Sequence, residues 1–585
     1  MRKIAVSRRG FVSGMGVAAA GLGLAACSGQ SQEATTTEAV EDEAQVEETG
    51  EAAATGAVVE TAYGPVQGIT EDGVNIYYGV PYGAEPTGEL RWQAPVAPEA
   101  WTDTRDCTTA AEAALQLGDE GVIGTEDCLY LDVYAPEGAE NLPVLVFLHG
   151  GNNQTGNTAE ILGNELVKKD ECVFVTLSYR LGLLGFNCLP AVIGEDKNAT
   201  GNFAMLDVAF ALDWVRENIA SFGGDPNNVT ISGFSAGGRD VMAMLISPTF
   251  AGKFEKAIAF SGGMTTADTE LSSNKIAAAL APLVVEDGKA TDDQAAYDWL
   301  LAGGDEVKEY LFALESDRLA PLMGNASIRM SVFPHLYADD VVIPADGFAT
   351  TTYNSVPLLM LTGATEFSFF CLFDGWFSSD AVAGFSEDEV NKAKAFANTY
   401  GSDMYRIFNA QMSAEQMFDA YGSDIYIAQV DYGSANSAMA SDLAPFGAFH
   451  GIFVPMLATK NNYAGMIEGA FDKAGYVAMA EKFNAYLKAF LATGDPNGEG
   501  EKWDPWTPDT KVSMVFDGDE NDAIIELKDV TTTYDDIIAA MEADDSIPDD
   551  LKTGVINNVT NGRWFSDAQD EHFGTADLWL TGFEK

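Results

Sequence analysis

Five residues, Gly233-Phe234-Ser235-Ala236-Gly237, set a serine between two glycines at the spacing of a sharp turn. A β-branched apolar run at 229–231 precedes them and an apolar run at 241–245 follows. That order predicts strand, turn and helix, with the Ser235 hydroxyl raised clear of the strand. A serine hydroxyl attacks a carbonyl poorly until a histidine takes its proton and a carboxylate orients that histidine. Of the 4 histidines, His149 closes an apolar run within His-Gly-Gly, His335 follows Pro334 in an apolar stretch, and His572 lies in the acidic C-terminal tail. His450, in the small-residue loop Gly447-Ala448-Phe449-His450-Gly451, is the candidate base. Glu366 follows the apolar run 356–361 and precedes Phe367, Phe369 and Phe370, where a carboxylate needs a partner. It is the candidate acid. The backbone N–H groups of Gly151, Asn152 and Ala236 are candidate donors to the oxyanion of a tetrahedral intermediate. The chemistry such residues would perform is acyl transfer through a covalent serine intermediate, with a small-molecule ester as the expected partner. No His/Cys/Asp cluster has metal-ligand spacing, so no metal and no other cofactor is expected.

Such side chains need a rigid frame. The runs 143–148, PVLVFL, and 173–177 are apolar throughout, as parallel strands covered on both faces must be. Helices are expected at 159–169 and at 203–219, the latter with Leu206, Phe210 and Trp214 at four-residue spacing. An opening hairpin is expected at 63–68 and 74–78, a strand within 126–134, and further strands at 256–260, 356–361 and 512–516. The alternation predicts an α/β fold: a large, mostly parallel central sheet with helices on both faces and helical insertions. Its chemistry belongs in loops at the carboxyl ends of the strands.

Hydrophobic content of 47%, with 33 Phe, 20 Tyr and 9 Trp, supplies a sizeable core, and without internal repeats the economical reading is one folded unit over 58–585. The 89 acidic against 32 basic residues give a net charge of −57, which repels nucleic acid and anionic lipid headgroups and argues against both as direct partners. Residues 1–26 read as an export signal: Ser7-Arg8-Arg9-Gly10-Phe11-Val12 resembles a twin-arginine signal, and the apolar stretch after it is too short and glycine-rich to span a membrane. Leu24-Ala25-Ala26-Cys27 resembles a bacterial lipobox, which makes Cys27 the expected lipidation site and the only expected link to a membrane. Residues 27–57, rich in Glu, Thr and Ala, read as an acidic disordered tether. The expected location is the outer side of the cytoplasmic membrane, or the secreted fraction. In an exported protein Cys107 and Cys128 are natural disulfide partners, a loop closure worth about 3 kcal/mol. Of Cys172, Cys188 and Cys371 at least one is then a free thiol. Nothing in the chain indicates an oligomeric state.

The segments GVPYGAEPTGELRWQAP, EDCLYLDVYAP, YRLGLLGF, GNFAMLDVAFALDWVRENIASFGGDPNNVTISGFSAGG and FLATGDPN resemble blocks of the type-B carboxylesterase/cholinesterase family of α/β-hydrolases, along nearly all of the folded length. The resemblance implies an α/β-hydrolase fold, serine carboxylesterase activity, a Ser235-Glu366-His450 triad, an oxyanion hole of Gly151, Asn152 and Ala236, and a Cys107–Cys128 disulfide. It also implies a place near the triad for Ser261. A non-catalytic binding protein, or a lipase or peptidase on the same fold, remains open. Four departures stand out. Where the family carries Glu before the serine and again three residues after the histidine, this chain has Phe234 and Phe453, which predicts a more apolar surround and a changed pH–rate profile. Asn152-Asn153-Gln154 replace small and aromatic residues, which predicts a more polar acyl side. Arg239 and Asp240 begin the helix after Ser235 in place of smaller residues. The 108–127 loop lacks the aromatic residue with which cholinesterases hold a choline cation.

Overall fold

The computed structural model describes residues 54–579 except 195–199, 325–327, 462, 464–466, 468 and 499. The expected signal and Cys27, and the tether to residue 53, lie outside the described residues.

The strands of the main sheet, in chain order, are β1 (Ala54–Glu60), β2 (Pro65–Glu71), β3 (Val74–Pro81), β4 (Tyr130–Pro136), β5 (Leu142–Leu148), β6 (Val173–Leu177), β7 (Gly224–Phe234), β8 (Lys256–Phe260), β9 (Leu358–Gly363), β10 (Ile425–Val430), β11 (Val512–Gly518) and β12 (Ala523–Asp529). They form one sheet in the order β1-β2-β3-β4-β6-β5-β7-β8-β9-β10-β11-β12, with the two-residue strand Arg105–Asp106 beside β2. From β6 to β11 every neighbour is parallel; the two margins are antiparallel. The large sheet is therefore the α/β arrangement expected, with antiparallel edges.

Alternate side chains of a strand point to opposite faces, and here each face has its own core. Val144, Val146 and Leu148 of β5 enter one apolar cluster while Leu145 and Phe147 enter the other. Ala257 and Ala259 of β8 divide from Ile258 and Phe260 in the same way. This is why the runs read as continuously apolar. At the edge the rule changes: β12 alternates half-buried and exposed residues and carries Glu526 and Lys528 outward, which keeps the edge soluble.

The helices that matter for the site are α1 (Gly163–Lys169), α2 (Phe203–Asn218), α3 (Ala236–Ile246), α4 (Glu387–Ile407) and α5 (Ala474–Thr493). α2 is tied to the segment after β6 by a buried fork, Arg180 Nε and Nη2 donating to the two oxygens of Asp207 at 2.8 and 2.6 Å. A third apolar cluster, which includes Phe367, Tyr405, Trp564 and Phe565, gathers α4 and the C-terminal segment over the strand ends.

Several expectations shift. The helix expected at 159–169 divides into a turn at Thr158–Glu160 and α1, because the Glu160 carboxylate turns inward to accept from Gly150 N–H at 2.7 Å. β1 starts at Ala54, ahead of the expected boundary at Val58. The disulfide is corrected outright: Cys107 and Cys128 are separate, buried thiols. The Cys107 backbone is held between Gln67 and Tyr78 by the opening strands, whereas Cys128 borders a small apolar void with Ala114, Leu115, Leu181 and Leu184. Burial pushes the Cys107 thiol up to about 11 and the Cys128 thiol well above its ordinary value, so neither has thiolate character at neutral pH.

Candidate active site

Parallel register delivers the site residues to one edge. Gly233 of β7 lies beside Leu148 of β5, and Phe234 beside Phe260 of β8, so His149, Ser235 and Ser261 leave three adjacent strands at one level. β9, next in the sheet, ends at Gly363 and leads to Glu366.

Ser235 has φ 57° and ψ −113°, a conformation that costs an L-residue on the order of 1–3 kcal/mol. The turn tolerates no bulk around it. A Cβ on Gly233 would stand 2.3 Å from the Gly237 backbone, and one on Gly237 2.3 Å from the carbonyl oxygen of Leu148. Ser235 N–H is fixed to the Phe260 carbonyl at 2.9 Å and Ser235 caps α3, so the backbone N–H of Ala236 opens the helix where no intrahelical acceptor exists.

Glu366 is fully buried and fully engaged. Its Oε1 accepts from Ser261 Oγ at 2.6 Å, Thr362 Oγ1 at 3.0 Å and Gly363 N–H at 2.6 Å; its Oε2 meets His450 Nδ1 at 2.5 Å. The carboxylate thus holds one edge of the imidazole. The faces of the His450 ring are closed by aromatics: Phe234 at 4.6 Å, Phe370 at 5.3 Å and Tyr405 at 5.3 Å, the last nearly parallel. His450 Nε2 is buried and bonds to no described residue. The Tyr405 hydroxyl approaches both Ser235 and the Trp564 indole without reaching hydrogen-bonding geometry, which brings Tyr405, Ser235 and His450 together in one small volume.

The other histidines are placed elsewhere. His149 stacks on Tyr179 at 4.7 Å, and its Nδ1 lies 2.8 Å from the Gly150 carbonyl. Burial lowers it to about 4, so it is neutral. His335 lies among Phe186 and Phe333, and burial holds it well below the usual imidazole range; His572 is on the surface beside Glu542.

The loop after β5 bends back on itself. Gly151 has φ 103°, where a Cβ would stand 2.2 Å from the Thr155 carbonyl oxygen, and Asn152 and Asn153 follow at φ 57° and 56°. Asn is the side-chain-bearing residue best suited to that region. The Gly151 carbonyl accepts from Gln154 and Thr155 N–H at 3.0 Å, while the N–H groups of Gly151 and Asn152 donate to no protein acceptor among the described residues. The amide side chains do not face open space. Asn152 bonds Gln154 at 2.8 Å, Gln154 reaches the Met323 carbonyl, and Asn153 donates to Asp240 at 2.8 Å. These amides, whose composition suggested a polar acyl side, are instead engaged by one another, by the Met323 carbonyl and by the Arg239 and Asp240 side chains. Phe234 and Phe453 meet edge to face at 5.2 Å, and Phe453 stacks on Phe260 at 4.2 Å, giving the apolar surround that was expected.

The relatives agree with this architecture. The profile described as the carboxylesterase family matches residues 55–397. The chain belongs to the carboxylesterase family. This carboxylesterase is 30% identical over 497 residues to the para-nitrobenzyl esterase of Bacillus subtilis, covering 80% of the present chain and 96% of that one. Carboxylesterase 3 of Homo sapiens is 31% identical over 357 residues, 57% of this chain and 59% of its own. Among solved structures a Geobacillus stearothermophilus carboxylesterase superposes with a TM-score of 0.62 at 27% identity, covering 80% of this chain and 98% of that one. The protein is accordingly a serine carboxylesterase of α/β-hydrolase fold. Tyr405, Trp564 and Glu160 had no sequence signal: each comes to the site through a distant or irregular segment.

Proposed function

We propose that this esterase hydrolyses small uncharged carboxylic esters, with Ser235 as nucleophile, His450 as general base and acid, Glu366 as the group that orients His450, and the N–H groups of Gly151, Asn152 and Ala236 as the oxyanion hole. The observation that carries the reading is the junction of the 2.5 Å Glu366–His450 contact with a serine strained onto the same strand-end edge. In this mechanism His450 Nε2 takes the Ser235 proton as Oγ attacks the ester carbonyl. The oxyanion gathers the three N–H donors, and the protonated imidazole, held by Glu366, returns the proton to the leaving alcohol. Water then repeats the sequence on the acyl-enzyme.

The preference for uncharged esters follows from the groups around the site. Phe234, Phe370, Tyr405 and Trp564 offer apolar and aromatic surface, and the amides of Asn152, Asn153 and Gln154 are already satisfied. Hydrolysis of p-nitrophenyl esters from acetate to decanoate, with Ser235→Ala as control, tests the reading. Activity lost in the control supports it; activity retained there sinks it. The same reading places the enzyme outside the cytoplasm as a lipoprotein, supported by the Arg8-Arg9 signal, the Leu24-Ala25-Ala26-Cys27 sequence and the absence of Lys and Arg between Arg9 and Arg91. Metabolic labelling of Cys27 with a fatty-acid probe, lost on Cys27→Ser, checks it.

A further inference from the structure

Two adjacent residues near the start of α3 hold two adjacent residues of the loop after β5. Arg239 Nη2 donates to Asn152 Oδ1 at 3.0 Å, and Asn153 Nδ2 donates to Asp240 Oδ1 at 2.8 Å. All four side chains are buried. The two asparagines are the non-glycine residues of the loop with positive φ, and the Asn152 N–H lies among the unpaired donors described above. Arg239 is also unusual as a buried cation. Among the described residues its Nε has no partner, its Nη1 reaches only Met330 Sδ at 3.4 Å, and its guanidinium lies 3.9 Å from the Trp564 ring. Burial lowers it to about 10, which leaves it charged at neutral pH. Burying a guanidinium for stability alone is unfavourable relative to an apolar side chain of similar volume. Its best-formed bond, to Asn152, therefore indicates a role in the loop.

We propose that Arg239 is a positioning residue for the oxyanion hole, locking Asn152 in its left-handed conformation so that the Asn152 N–H is aimed at the reacting carbonyl, with Asp240–Asn153 as the second half of the same clamp. The proposal rests on the esterase reading above. It explains why Asn152, Asn153, Arg239 and Asp240 occur together: a loop without a glycine at 152 and 153 needs side-chain bonds to hold the bend, and α3, which begins at the serine turn, is the element in reach. Because the clamp joins the loop directly to the helix that begins after Ser235, it keeps the two halves of the hole in register.

The test is a double-mutant cycle with Arg239→Met and Asn152→Ala on p-nitrophenyl acetate, read as kcat and KM separately. Loss of one oxyanion donor lowers kcat by roughly 10²–10³, and each single variant should approach that range with KM changed by less than about threefold. The double variant should be no slower than the slower single one, because both remove the same bond. Inhibition by a trifluoromethyl ketone, which forms a tetrahedral adduct, should weaken in parallel with kcat/KM. Arg239→Lys, which can still donate to Asn152 Oδ1, should recover part of the loss. Additive effects in the cycle, or a folded Arg239→Met enzyme with wild-type kcat, overturn the proposal. The same cycle read in thermal midpoints separates the two claims: an inert wild-type protein with coupled midpoints refutes the esterase reading, whereas uncoupled midpoints refute the clamp.

Discussion

Phe234 lies 3% exposed against the His450 ring, where the family pattern has an acid, and returning a carboxylate there should change the pH dependence of turnover. The ring centroids are 4.6 Å apart. At an effective dielectric of about 20, two unit charges at that separation interact by about 3.6 kcal/mol, equivalent to about 2.6 pH units. This is a ceiling, because a new carboxyl buried against Phe453 ionises reluctantly. Phe234→Glu should therefore move the acidic limb of kcat/KM to higher pH by about one to two units, since a nearby anion favours the imidazolium that cannot accept the serine proton. Phe234→Gln, of the same shape without charge, should leave the limb in place. Both variants lose aromatic burial and should unfold more easily, by on the order of 3 kcal/mol. The assay is a pH series on a p-nitrophenyl ester, with circular dichroism confirming that each variant is folded. Coincident limbs for the Glu and Gln variants would refute the electrostatic argument.

Other expectations follow from buried groups. Asp207→Ala leaves Arg180 buried without its partner and should cost about 3–5 kcal/mol in urea unfolding, although neither residue touches the site. Gly237→Ala places a Cβ 2.3 Å from the Leu148 carbonyl oxygen; the enzyme should lose at least about 10²-fold in kcat as the Ser235 turn shifts, measured with p-nitrophenyl acetate. Burial raises Asp132 to about 6, Glu160 and Asp240 to about 7 and Asp170 to about 8. A carboxyl whose folded value is raised binds more protons in the folded state than in the unfolded one between the two values. Stability from these groups is thus greatest near pH 4 and falls as pH rises through 6 to 8, by up to about 1.4 kcal/mol per pH unit for each. Thermal midpoints should rise from pH 8 to pH 5, less steeply in Glu160→Gln; a midpoint that falls on acidification to pH 5 contradicts this.

How much of this was legible in the chain depends on range. Strands apolar on both faces announced themselves, and β5, β6 and β8 lie where the runs at 143–148, 173–177 and 256–260 place them, because a central parallel strand has no other composition available. β10 was missed: Ile425–Val430 is fully buried but contains Gln429, and a single polar residue breaks a short apolar run. Ser235, His450 and Glu366, which the structure brings to one strand-end edge, each sit in a local pattern that a turn or strand end explains. The partners of those residues do not. Tyr405 reaches His450 from the end of α4 and Trp564 from the far C-terminal segment, and no local period encodes a meeting between them. The disulfide misled for a related reason, since compartment and spacing say which cysteines could pair but not whether their side chains face each other. The asparagine loop misled in a different way. Polar composition suggested a polar pocket, whereas the amides close on Gln154, Asp240 and Arg239.

The most direct measurement is stopped-flow release of p-nitrophenol from p-nitrophenyl acetate, with intact-mass and peptide analysis of enzyme quenched in the burst. An acyl-enzyme mechanism with slow deacylation gives a burst close to one equivalent per active site, with the acetyl group on Ser235 and no burst in Ser235→Ala. Turnover that persists in Ser235→Ala, or an acetyl group found on another residue, would contradict the assignment of Ser235 as the nucleophile.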